Sequence, residues 1–90
     1  MAFVYEDLYN GRSSLPPYAI VPRPQAVRWE KKKPLTVDNV VIMDMKSAEK
    51  HERECLKGDQ TVEDVWGKEA LAFITRKSVE ARRVMEYTRN

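Results

Sequence analysis

The chain has 90 residues, 42% hydrophobic and 33% charged, with sixteen Lys and Arg against fourteen Asp and Glu for a formal net charge of +2. That length allows one small domain with a limited core, and the near-balanced charge excludes a histone-like polycation or an acidic tail. A mean hydropathy of −0.63 and a longest apolar run of five residues, at Met1–Tyr5 and Ala70–Ile74, exclude a membrane-spanning helix, which needs about 20 apolar residues, and a single Cys and single His exclude a disulfide framework or a zinc site built from this chain alone.

Glu6 and Asp7 follow the apolar start Met1–Tyr5 directly, a pattern that fits neither a secretory signal nor a matrix presequence. Ala2 stands where N-myristoylation requires glycine. The expectation is an intracellular, reducing compartment, cytoplasmic or cytoskeletal, with Cys55 a free thiol. Phe3–Tyr9 reads as a short helical or looped start closed by the turn signal Asn10-Gly11.

All five prolines, Pro16, Pro17, Pro22, Pro24 and Pro34, fall in one stretch, through which no helix runs far. Residues 1–35 also carry five of the eight aromatics and are at least as apolar as the remainder. A disordered linker is normally poor in such residues, because it buries too little apolar area to offset chain entropy. The arm is therefore expected to lie extended along a partner rather than fold back over its own helices. Tyr18–Val21 and Ala26–Trp29 have strand-like composition, and they read as edge or polyproline-type segments available to a partner's sheet edge.

Beyond Pro34 the texture turns helical. Leu35-Thr36-Val37-Asp38-Asn39-Val40 and Gln60-Thr61-Val62-Glu63-Asp64-Val65 share a Thr-Val-acid-Asx-Val pattern, each with Thr placed as an N-cap and acids against the helix dipole. Thr61 with Asp64 resembles a capping box. Gly58 suits a left-handed residue after a helix end. These signals predict a mainly α fold: an extended Pro-rich arm over residues 1–35, then a two-helix hairpin over 36–90 with helices at about 37–57 and 62–87. A competing reading makes Val40–Met43 a buried strand and starts the helix near Asp44 or Ser47, since β-branched runs favour strands. In the second helix Lys77 and Glu80 interrupt the apolar stripe, and Gly67 costs about 1 kcal/mol relative to Ala.

No catalytic constellation assembles from these residues. His51 and Cys55 are spaced to reach one metal ion from one helix face, but two ligands do not close a site. Gly67-Lys68 fails as a phosphate loop, because the preceding glycine is Gly58 and Glu69 stands where Ser or Thr should bind magnesium. Arg12-Ser13-Ser14 is a weak phosphorylation signal, with Ser13 and Ser14 as its acceptors.

Two helices alone bury little, so the chain is expected to be ordered chiefly inside something larger. The leading expectation is a non-enzymatic accessory or structural subunit of a large intracellular assembly, a cytoskeletal filament, a ribonucleoprotein particle or a respiratory complex. It would bind protein subunits and need no cofactor and no small-molecule substrate. Its anchors are Phe3, Tyr5, Tyr9, Tyr18, Ile20, Trp29, Trp66, Phe73 and Val84. The alternative is a nucleic-acid-contacting, ribosomal or ribonucleoprotein subunit that sets Lys31, Lys32, Lys33, Arg82 and Arg83 against phosphates or an acidic surface.

Overall fold

A computed structural model describes the backbone of residues 3–89 and the side chains of residues 5–84 and 86. The fold is mainly α, with about half of the chain helical and a small two-stranded sheet. A π-type turn (Phe3–Leu8) leads through a long loop to β1 (Gln25–Val27), and a 3-10 turn (Val37–Asn39) precedes β2 (Val41–Met43). Helix α1 (Met45–His51) runs on into a second π-type turn (Glu52–Leu56), followed by α2 (Val62–Trp66) and α3 (Lys68–Arg89).

The expected helix from residue 37 is replaced at its start by strand β2. Val41, Ile42 and Met43 are at most 1% exposed, and alternation along an extended chain sends them to two different clusters. Val41 and Met43 pack with Leu15, Ala48, Val62, Ala70 and Ile74. Val40 and Ile42 pack with Leu8, Tyr9 and Ala81. A helix presents only one apolar stripe, so it cannot feed both clusters from four consecutive residues. Full burial of each side chain contributes about 1.5–3 kcal/mol.

The partner of β2 is the arm itself. β1 pairs antiparallel with it in the register Gln25↔Met43, Ala26↔Ile42 and Val27↔Val41. On the other edge of β2, fully buried Ser14 takes the place of a third strand. Its backbone N–H donates to the Ile42 carbonyl and its Oγ accepts from the Ile42 N–H, each at 2.8 Å. Leu8, Tyr9, Leu15 and Val21 are all buried in this way. The extended course expected of the arm is thus not the one observed: the segment folds back and supplies the apolar area that two helices lack.

Local signals fare unevenly. Asn10 (φ 54°) and Gly11 (φ 71°) form the anticipated turn, with the Arg12 N–H donating to the Tyr9 carbonyl at 3.0 Å. The Thr61–Asp64 capping box is complete. Thr36 caps nothing and instead donates its hydroxyl to Asp38 Oδ1 at 2.6 Å; the N-cap of α1 is Asp44, which accepts from the Ser47 N–H at 3.3 Å. The expected second helix divides at Gly67, whose φ of 92° separates α2 from α3. Gly58 is not left-handed; a Cβ there would meet the Glu54 and Arg53 carbonyl oxygens at 2.6 and 2.8 Å. Ala70 and Ala81, both fully buried, are where α3 joins the two clusters that β2 also feeds. Lys77 keeps its place on that stripe by reaching outward to Glu80 at 3.4 Å.

Candidate functional site

Two surfaces gather the residues picked out from the sequence. The first is basic and is organised by the 3-10 turn Val37–Asn39, which packs on α3. Asn39 is 1% exposed. Its Nδ2 donates to the carbonyls of Glu30, Lys33 and Pro34 at 3.1, 3.1 and 2.9 Å, and its Oδ1 accepts from the Glu30 N–H at 3.0 Å. The Arg28 guanidinium closes the same loop from the other end, donating to the Lys31 and Lys33 carbonyls at 3.2 and 3.4 Å. The backbone of the lysine loop is thereby fixed while Lys31, Lys32 and Lys33 remain exposed.

Three of the neighbouring cations have a defined partner. Lys33 pairs with Glu30 at 2.9 Å, and the Lys31 ammonium donates to the Gly58 carbonyl at 3.1 Å. Next to Asn39, Asp38 accepts from Arg82 Nε at 3.4 Å. The Thr36 hydroxyl, followed by backbone and Arg82 donors, holds the Asp38 carboxyl below its ordinary range, so this acid stays ionised. Arg83 follows Arg82 on α3 and is exposed. The Lys31–Lys33 loop and Arg82, far apart in sequence, thus meet at adjacent residues of one turn, with Arg83 next along α3.

The second surface is an apolar groove of about 640 Å³ between the proline loop and the α2–α3 junction. Leu15, Pro16, Pro17, Ile20, Pro22 and Trp66 line it, with Asp44 and Glu69 among its polar residues. It brings together two of the expected anchors, Ile20, which is 67% exposed, and Trp66. Tyr18–Val21 lies against Gly11–Ser13, the Ser13 N–H donating to the Ala19 carbonyl at 2.8 Å and the Val21 N–H to the Gly11 carbonyl at 3.0 Å.

The other anchors are spent largely inside the molecule. Tyr9 is 4% exposed, and burial pushes its phenol up to about 12. Phe73 is half-buried beneath Tyr9 and Tyr18, at ring separations of 5.9 and 4.4 Å. Tyr5 is half-buried and donates to the Val21 carbonyl at 2.9 Å. Trp29 is half-buried against the Val41–Ile74 cluster, and its indole nitrogen has no hydrogen-bond partner among the described residues. Val84 is exposed, and the side chain of Phe3 lies outside the described residues.

His51 and Cys55 do not converge on a common point. The imidazole is fully buried, with Nε2 2.7 Å from the Arg28 carbonyl and Nδ1 accepting from Trp66 Nε1 at 3.0 Å. Cys55 points its thiol at the Thr61 carbonyl, 3.6 Å away, and burial pushes its pKa up, away from a reactive thiolate. Asn39 and His51 are the structural residues that the sequence reading missed as such. Asn39 sits inside what looks like a helix start, and both bond to backbone groups five or more residues distant for which no local pattern exists.

No protein-family model matches the chain, and no solved structure matches it. It is similar to two tRNA threonylcarbamoyladenosine dehydratases of Saccharomyces cerevisiae. One, dehydratase 2, is 26% identical over 77 residues, which cover 86% of this chain and 17% of that protein. The other, dehydratase 1, is 28% identical over 76 residues, covering 84% of this chain and again 17% of the relative. The chain thus corresponds to only about a sixth of the length of the curated relatives it matches. Among the described residues no helix is long and apolar enough to cross a membrane.

Proposed function

We propose that this chain is a non-enzymatic accessory module that works as part of a larger protein assembly, one concerned with tRNA modification. The observation that supports the accessory reading is the exposed apolar groove of the proline arm, and the similarity to two much larger dehydratases turns it toward tRNA modification. The outward edge of the proline arm, with Ile20 and Pro22 beside Trp66, is the surface assigned to protein neighbours, since an exposed apolar patch flanked by an aromatic anchor is what interfaces use.

The test is sedimentation of the tagged chain from its native cells at native abundance. The expected result is a defined particle far heavier than the 10.5 kDa chain, containing a tRNA-modifying protein, with Ile20→Asp released to the free pool while its far-UV spectrum and melting stay unchanged. A wild-type chain that sediments wholly as a free monomer overturns the reading.

A second reading, contact with RNA through the basic residues, is favoured by the meeting of the lysine loop and the Arg82–Arg83 end of α3 at Asp38 and Asn39. It predicts RNA affinity that falls as salt rises.

A further inference from the structure

Resting on the second, RNA-contacting reading, we infer that the Lys31–Lys33 loop and Arg82–Arg83 form one continuous docking surface for the phosphate backbone of a folded RNA, with the Val37–Asn39 turn as its frame. Asp38 receives Arg82, and the adjacent Asn39 holds the carbonyls of Glu30, Lys33 and Pro34. Neither basic segment can shift without disturbing the same buried turn, so their relative placement is set before any partner arrives.

The unpaired cations at this surface favour an anionic polymer. Glu30 and Asp38 are each matched to one cation, Lys33 or Arg82, while Asp59 and Glu63 border the same hollow as Lys31. Lys31, Lys32 and Arg83 are left without an ion pair among the described residues, Lys31 with its ammonium anchored on an uncharged carbonyl. Lysines on a flexible tail lose much of their gain to ordering on binding; here Asn39 and Arg28 have ordered the backbone in advance.

The same geometry points to the sugar–phosphate backbone rather than to bases. Ammonium groups act on phosphate as point charges. Base reading on single strands relies on aromatic platforms, and Trp29, the aromatic beside this loop, packs instead on the Leu15–Ile74 cluster. Recognition is therefore by shape and phosphate position, with little dependence on base sequence.

The experiment is fluorescence anisotropy with a labelled, unmodified tRNA transcript and the folded chain, from about 50 to about 200 mM KCl. Three unpaired cations predict a slope of log affinity against log salt of about −2 to −3. Lys32→Ala and Arg83→Ala, both at exposed positions, are each expected to reduce that slope by roughly 0.7–0.9 and to weaken binding on the order of fourfold near 0.15 M salt. Lys68→Ala, about 21 Å up α3 from Arg82, is expected to leave both unchanged. Absence of binding at the lowest salt removes the RNA reading and the surface together. Binding whose slope neither Lys32→Ala nor Arg83→Ala alters leaves RNA contact standing and overturns this surface. Polyglutamate competing as well as tRNA at equal charge concentration assigns the patch to an acidic protein and likewise overturns the inference.

Discussion

Trp66 donates its indole N–H to Nδ1 of His51 at 3.0 Å, and this single bond joins the end of α2 to the end of α1. Because Nδ1 accepts, the ring proton sits on Nε2, which donates to the Arg28 carbonyl at 2.7 Å. The neutral ring satisfies both partners at once. A protonated ring would set N–H against N–H at Trp66, in a site with no exposed surface and with the Lys50 ammonium already 5.4 Å from the indole centroid.

A pH dependence follows from that bond. Burial holds the His51 pKa below its ordinary value of about 6.5. The unfolded chain therefore takes up the proton first, and stability, full above about 6.5, is lost as pH falls until the folded ring protonates too. Urea midpoints measured from about pH 8 to about pH 5 are expected to hold steady and then decline below about 6.5. His51→Gln keeps one donor and one acceptor but does not titrate, so its midpoint should stay flat across the same window. An identical decline in the Gln variant would place the effect elsewhere. The carboxyls of Asp38, Asp44 and Asp64, all held low, add a separate loss below about pH 4.

Asn39→Ala tests the frame of the lysine loop. It removes an amide whose two N–H protons are shared among three carbonyls and whose Oδ1 accepts from the Glu30 N–H, and leaves those groups to find other partners in a half-buried setting. Unmade bonds to buried backbone cost about 1–3 kcal/mol per group, and partial access to water at this loop brings the expected total to about 2–4 kcal/mol by chemical denaturation. Hydrogen exchange locates the loss: the Glu30 amide should exchange much faster, with amides of α3 showing only the global change. A variant that protects Glu30 as the wild type does would show that the loop is held without Asn39.

What the sequence disclosed, and what it concealed, divides by range. The Thr61–Asp64 capping box and the Asn10-Gly11 turn are complete within four residues, and both were readable. The strand at Val41–Met43 was visible as a β-branched run, but its role depended on a partner, Gln25–Val27, lying beyond Pro34 in a segment that the prolines made look unpaired. For the basic surface, composition alone picked out Lys31–Lys33 and Arg82–Arg83. Their meeting at Asp38 and Asn39 was hidden, because it rests on side chains reaching backbone and charges 5 to 44 residues away. The arm's apolar and aromatic content was readable; Leu8 and Tyr9 spend it on the chain's own β2.

Cys55 offers a check on how firmly the α1–α2 connection is closed. The thiol is 5% exposed, and its raised pKa keeps it protonated near neutrality. Modification by a small maleimide in native buffer is expected to be slower than in denaturant by more than the roughly tenfold that one unit of thiol pKa gives. Rapid native labelling would mean that the Glu52–Leu56 turn opens readily.

Gly58 and Gly67 flank α2 and are both expected to resist substitution, for opposite reasons. At Gly67 nothing lies within 4 Å of an added Cβ, but its φ of 92° with ψ of 168° is a conformation open essentially to glycine alone. At Gly58 φ is not positive, and the obstacle is the Glu54 carbonyl oxygen, 2.6 Å from where a Cβ would sit. Each L-alanine replacement should therefore lower stability by about 1–3 kcal/mol. The mirror-image residue separates the causes. In chains made by chemical synthesis, D-alanine at 67 relieves the positive-φ penalty and narrows the unfolded ensemble, so its melt should match or exceed that of the glycine chain. D-alanine at 58 brings no such gain, because a D residue disfavours the ordinary negative φ held there. Should D-alanine at 67 melt as low as L-alanine, the break between α2 and α3 would owe nothing to the backbone sign of Gly67.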